Sequence, residues 1–141
     1  MLRVRHYSHV TESFPLLQAR TRRFTLGAPT DFTISPDGER VAFLQSTSAT
    51  DPVKRLMIAQ VADPFVATAA ADPGALLTGS EEVSPAEKAR RERLRESGAG
   101  IVSYSTDEAL TVAAFGLSGF VGVANLGDDP GESRARLLDV A

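Results

Sequence analysis

Side chains that could carry out nucleophilic, metal or phosphate chemistry are sparse in this 141-residue chain. It has no cysteine, which excludes a disulfide framework, a thiolate metal site and a cysteine nucleophile. The best metal-binding pattern is His6, His9 and Glu12, whose i,i+3 spacing would place three ligands along one side of a helix. A tag-like or disordered terminus explains these residues better, so we predict no metal site and no cofactor.

A catalytic serine is equally hard to place. The nucleophile of an α/β-hydrolase sits in a Gly-x-Ser-x-Gly turn. The nearest approach here is Gly116-Leu117-Ser118-Gly119, which has the wrong spacing, and there is no phosphate-cradling glycine loop. We therefore predict no catalytic residue and expect that this chain alone is not an enzyme.

Composition and net charge also exclude some classes of binding partner. The chain is 43% hydrophobic and 23% charged, close to an average soluble protein, and its net charge is −3. A weakly acidic chain is not drawn to nucleic acid or to an anionic membrane. The N-terminal segment 1–10 is basic, but no apolar run of signal-peptide length follows it. We expect a soluble, cytoplasmic protein with no nucleic-acid or membrane partner.

The pattern that follows an N-terminal extension (residues 1–30) predicts short antiparallel strands. Phe32 and Ile34 alternate with polar residues, as in a half-buried strand. The sequence Ser35-Pro36-Asp37-Gly38 is typical of a tight turn, and an apolar strand follows it, which predicts a hairpin. The strands expected in this first unit span residues 31–35, 41–44, 56–61 and 75–78.

A charged helix is predicted next, over about residues 85–96 of an inserted segment 84–97. Ser84, Pro85 and Glu87 form a capping-box signature, and strong helix formers follow. This helix has few apolar residues and should project from the body or lie along a polar surface. The strands expected after it span residues 101–104, 110–115, 120–124 and 136–139.

The two strand-rich units, 31–78 and 101–139, repeat each other. Each has a strand, a turn containing an aspartate (Asp37 or Asp107), and three further strands. Four short antiparallel strands recurring at this spacing are typical of β-propeller blades, so we predict an all-β fold made of the first two blades. A β-sandwich of seven or eight strands is the alternative. Two blades form an incomplete ring whose open sheet edges could drive oligomerisation.

Several stretches, from about Phe14 to Leu126, resemble the start of bacterial prolyl-oligopeptidase-family enzymes. The actinobacterial members of the dipeptidyl peptidase IV branch are the most similar. The stretches are Phe14-Pro15, residues 19–27, residues 32–38, residues 40–44, Asp51-Pro52 with Arg55-Leu56, and Arg91-Glu92-Arg93-Leu94-Arg95 before Gly100-Ile101-Val102-Ser103-Tyr104.

The resemblance implies an eight-bladed propeller that caps an α/β-hydrolase domain and restricts access to it. That hydrolase is a serine peptidase that releases N-terminal dipeptides, and its catalytic triad has no counterpart here. The expected partners are therefore a peptide substrate and the hydrolase domain of the parent enzyme. Arg91, Arg93 and Arg95 match an arginine-rich helix at the substrate entrance, where a guanidinium could hold a peptide carbonyl or carboxylate. The competing interpretation is a solvated helix, and a free-standing β-rich interaction module is the alternative function.

Overall fold

The computed structural model describes residues 12–78, 85–86, 89, 92–93, 100–127 and 134–138. This part of the chain is mainly β and contains two four-stranded antiparallel sheets, which confirms the predicted all-β class. Sheet 1 comprises β1 (Thr30–Ile34), β2 (Arg40–Ser46), β3 (Lys54–Gln60) and β4 (Ala67–Ala71). Sheet 2 comprises β5 (Tyr104–Thr106), β6 (Val112–Leu117), β7 (Phe120–Asn125) and β8 (Arg134–Leu138). In each sheet, every strand pairs with the next one along the chain.

Two short helices accompany sheet 1. Helix α1 (Phe14–Arg20) precedes it, and helix α2 (Pro73–Thr78) follows it. The backbone is also helical at residues 85, 86, 89, 92 and 93, within the span predicted for the inserted charged helix. The other residues of that helix, including its capping residues Ser84 and Glu87, lie outside the described residues.

The predicted outer strand of the first unit, residues 75–78, is wrong. The fourth strand is Ala67–Ala71, and residues 73–78 form helix α2. The carboxylate of Asp72 accepts a hydrogen bond from the N–H of Gly74 at 2.9 Å, and Pro73 occupies the first helical position. The alanine-rich segment before it has little intrinsic strand preference, but pairing with β3 holds it extended.

The first strand of the second unit also begins later than predicted. Strand β5 starts at Tyr104, and residues 101–103 are not part of it. Ile101 is fully buried, and its N–H donates to the carbonyl of Lys54 in sheet 1 at 3.0 Å. The apolar pattern at this point therefore reflects burial of the connection against sheet 1 rather than pairing within sheet 2.

The two sheets pack face to face around one core. We call the packed side of each sheet its inner face and the opposite side its open face. The core contains Ala42, Leu44, Leu56, Ile58, Ala70, Ala71 and Leu77 from the sheet 1 side and Ile101, Leu110, Ala113, Phe115, Leu117, Ala124 and Leu126 from the sheet 2 side. Burying a leucine or isoleucine side chain contributes about 1.5–3 kcal/mol, so this core is the main stabilising feature of the described fold.

Candidate functional site

The structure describes only one of the three arginines that the sequence proposes for substrate binding. Arg93 is helical and exposed to solvent, while Arg91 and Arg95 lie outside the described residues. His6 and His9 lie outside them as well. Among the residues that are described, no three histidine, cysteine, aspartate or glutamate side chains cluster as metal ligands. No helix within them is long and apolar enough to cross a membrane.

The open face of sheet 1 is apolar. Phe32 is 59% exposed and Ile34 is 64% exposed. The ring centroid of Phe43 lies 5.6 Å from that of Phe32 and 6.5 Å from that of Phe65, so three aromatic rings cover this face. The sequence predicted Phe32 and Ile34 on a half-buried strand. The strand is present, but the pairing of Ile34 with Val41 turns these side chains toward the open face.

The open face of sheet 2 is apolar apart from Ser105, Asn125 and Arg136. Val112 on β6 is 42% exposed, and Val121 on β7 is 45% exposed. Cross-strand pairing places Ala114 beside Val123 and Leu138 beside Val121 on the same face. In a two-sheet sandwich, outward-facing positions are normally polar. Apolar open faces on both sheets therefore mark surfaces that are suited to contact further protein.

The hydrogen bonds of the two Asp-containing turns relate the sheets residue by residue. In sheet 1, the N–H of Ser35 donates to the carbonyl of Arg40 at 2.9 Å. In sheet 2, the N–H of Asp107 donates to the carbonyl of Val112 at 3.1 Å. Ser35 is thus equivalent to Asp107, and Arg40 to Val112.

The middle strands follow the same equivalence. Arg40 pairs with Gln60 across β2 and β3, and Val112 pairs with Asn125 across β6 and β7. Counting from these pairs, the open-face residues of sheet 1 are equivalent to inner-face residues of sheet 2. The corresponding pairs are Val41 with Ala113, Phe43 with Phe115, and Ala59 with Ala124.

The reverse correspondence holds for the other two faces. The inner-face residues of sheet 1 are equivalent to open-face residues of sheet 2. The corresponding pairs are Ala42 with Ala114, Leu56 with Val121, and Ile58 with Val123. The two sheets therefore face in the same direction, so that sheet 2 stands to sheet 1 as one step of a repeat. The two faces that meet in the core are therefore not equivalent faces, as they would be in a sandwich of two opposed halves.

Polar contacts also hold the sheets together. The hydroxyl oxygen of Tyr104 lies 2.6 Å from the carbonyl oxygen of Asp31, 3.0 Å from that of Ala42 and 3.0 Å from Oγ1 of Thr33, so the two carbonyls share its one proton. Burial raises the pKa of Tyr104 above its ordinary value, and the nearby Asp31 carboxylate adds to this rise. The hydrogen bond with Thr33 acts in the opposite direction. The net rise favours the neutral phenol at this contact.

Arg40 makes a second polar contact between the sheets. Its guanidinium donates to the carbonyl oxygen of Gly127 and, at 3.2 Å, to that of Ala109. Both acceptors belong to the loops at one end of sheet 2. Arg40 therefore ties the β1–β2 turn of sheet 1 to the neighbouring end of sheet 2.

The apolar open faces were not predicted from the sequence, although a signal for them exists. Residues 41–44 are four consecutive apolar residues, which is typical of a strand covered on both sides rather than on one.

In comparisons with known proteins, no family model matches this chain, and no curated protein matches it.

Proposed function

We propose that this chain forms two neighbouring blades of a β-propeller that belongs to a dipeptidyl-peptidase-IV-like serine peptidase. In this role it restricts access to the hydrolase domain and contributes to peptide binding, and it supplies no catalytic residue. The observation that carries the proposal is the pair of apolar open faces on two sheets that repeat in the same direction. The resemblance of the sequence supplies the class of enzyme.

The architecture of a propeller accounts for this pair of faces. Successive blades of a propeller are four-stranded antiparallel sheets arranged around one axis, and each blade packs against a neighbour on both sides. Two consecutive blades would then bury one face each against the other and leave one apolar face each for the next blades. Tyr104 and Arg40 would act as the polar links between these two blades.

The inserted helix would provide the peptide-binding part of the function. Arg93 is exposed on it, and the sequence puts Arg91 and Arg95 in the same charged segment. A guanidinium can donate two parallel hydrogen bonds to a carboxylate. We propose that these arginines meet the peptide as it approaches the hydrolase domain, and that the protein works in the cytoplasm.

The test is to isolate the native protein from its own cells with an antibody against residues 84–100. The expected result is a species several-fold larger than 15.0 kDa that hydrolyses dipeptidyl-proline or dipeptidyl-alanine fluorogenic substrates and is labelled by a serine-directed fluorophosphonate. The purified 141-residue chain should show no such hydrolysis. A native species near 15.0 kDa without associated peptidase activity would refute the proposal.

A free-standing interaction module is the second candidate. The shared core between the two sheets favours it, because Leu44, Leu56 and Ile58 are fully buried without any further sheet. A cooperative thermal unfolding transition of the purified chain would support this candidate. A chain that binds a hydrophobic dye and melts without a transition would contradict it.

A further inference from the structure

The open face of sheet 2 has a depression of about 310 Å³ at the position where sheet 1 holds the Tyr104 side chain. Its lining includes Ser103, Ser105 and Ala114. By the equivalence of the two sheets, Ser105 and Ala114 correspond to Thr33 and Ala42, which are two of the three hydrogen-bond partners of the Tyr104 hydroxyl. The depression on sheet 2 therefore corresponds to the site on sheet 1 that holds the Tyr104 side chain. We call this depression the aromatic seat.

An aromatic ring stands at the matching position on the open face of sheet 1. Phe32 is equivalent to Tyr104, and it packs on Phe43 as Tyr104 pairs with Phe115. Phe32 is 59% exposed. Each chain therefore carries the aromatic seat on the open face of sheet 2 and an exposed aromatic ring, Phe32, on the open face of sheet 1.

We propose that this chain associates with a second copy of itself, head to tail, through these two faces. The open face of sheet 1 of one copy packs on the open face of sheet 2 of the other, and Phe32 enters the depression beside Ser105. This contact repeats the interface that already joins sheets 1 and 2 within each chain. It concerns the chain as a free-standing module, the second candidate function, because within a longer propeller the next blades would cover these two faces.

The interface is heterologous, because the open face of sheet 1 on one copy contacts the open face of sheet 2 on the next. Every such face is covered only when the copies form a closed ring. Propellers contain roughly four to eight blades. With two sheets per chain, closed assemblies would hold two, three or four copies, with masses of about 30, 45 or 60 kDa.

The first test uses two charge variants, one on each open face. Ile34→Glu blocks the face of sheet 1, and Val121→Glu blocks the face of sheet 2; both positions are exposed, so the fold of a single chain should survive. Light scattering coupled to size exclusion should show a closed assembly for the original chain and a monomer for each variant. Val102→Glu, at a valine that is 78% exposed and lies in the connection before β5, is the matched control and should assemble normally.

Mixing the two variants separates head-to-tail association from other kinds. Each variant keeps the face that the other lacks, so the mixture should form a species of two chains and stop there. Continued assembly of either variant alone, a mixture that stays monomeric, or an original chain that is monomeric at micromolar concentration would overturn the proposal. Circular dichroism of each variant checks that its sheets are intact.

The second test asks whether residue 32 occupies the seat. Phe32→Tyr restores the hydroxyl that Tyr104 uses in the internal contact, so the dissociation constant should fall about five-fold. Phe24→Tyr adds the same hydroxyl to an exposed phenylalanine outside both sheets and should leave the constant unchanged. In the cysteine-free chain, Phe32→Cys on one copy should also cross-link to Ser105→Cys on another. If the dissociation constant of Phe32→Tyr were unchanged and the two cysteine variants did not cross-link, the placement of Phe32 in the aromatic seat would be refuted.

Discussion

Phe43 and Phe115 occupy equivalent positions in the two sheets, but Phe115 points into the sheet–sheet interface and Phe43 points away from it. Phe115 lies on the inner face of sheet 2, within the shared core. Phe43 lies on the open face of sheet 1, between the rings of Phe32 and Phe65. Each ring is only 3% exposed, so the same sequence position is buried by different neighbours in the two units.

Gly122→Ala should destabilise the fold. Phe115 pairs with Gly122, and a methyl group at this glycine would lie 2.3 Å and 2.4 Å from two atoms of the Phe115 ring. Because the ring is buried, it has little room to move, and overpacking of this kind costs about 1–3 kcal/mol. Chemical denaturation at one fixed protein concentration measures the loss. Gly116→Ala is the control, since nothing lies within 4 Å of its added methyl group; an equal loss in both variants would contradict the argument.

Gly100→Ala should weaken the link between the inserted segment and sheet 1. A methyl group here would lie 2.4 Å from the backbone nitrogen and 2.8 Å from the backbone oxygen of Lys54. Backbone atoms of a paired strand cannot rotate away, so the connection must shift and the hydrogen bond from Ile101 to Lys54 should be lost. We expect faster amide hydrogen exchange at Ile101 and a lower melting temperature. Exchange at Ile101 as slow as in the original chain would show that the close approach is unimportant.

Tyr104→Phe should lower the free energy of unfolding by about 1–2 kcal/mol, because it removes the hydroxyl that bonds to Asp31, Thr33 and Ala42 of sheet 1. The variant also tests the alkaline behaviour. Since the folded pKa of Tyr104 lies above the ordinary value of 10.0, the unfolded chain ionises first, and stability falls as the pH rises through this range. Denaturation midpoints between pH 8 and about 11 should decline less in the variant than in the original chain. Parallel declines would contradict this assignment.

Asp37 and Asp107 should make the protein sensitive to acid. The Ser35 hydroxyl and the Glu39 N–H hold the pKa of Asp37 below 3.8, and the Thr111 hydroxyl and the Val112 N–H do the same for Asp107. A carboxyl group whose pKa is lowered by folding stabilises the folded state at pH values above its ordinary pKa. This stabilisation is lost as the pH falls from the ordinary pKa through the lowered one.

The variant that tests this effect is Asp37→Asn combined with Asp107→Asn. Its melting temperature should change less than that of the original chain as the pH falls from 6 to about 3. Glu108→Gln removes an exposed neighbouring carboxylate and serves as the control. If the control flattened the profile as much as the double variant does, the effect would be one of net charge rather than of the turn hydrogen bonds.

The strands and turns of the two units could be predicted from local patterns. Alternation of apolar and polar residues in the first strand, and short apolar runs bounded by turn residues in the others, located seven of the eight strands to within a few residues. The two Asp-containing turns were recognisable because a proline-glycine turn, or an aspartate that accepts nearby N–H groups, is encoded within a few residues. The repeat of the two units was visible for the same reason.

Which side of each strand is covered, and by which residues, depends on how the two sheets pack. Phe32 and Ile34 look like core residues in the sequence, but cross-strand register turns them outward. Phe43 and Phe115 share one position yet have different neighbours, since burial depends on which sheet packs above each face. The alanines of β4 became a strand through pairing with β3. These outcomes depend on contacts between residues far apart in the chain, which no local pattern of side chains records.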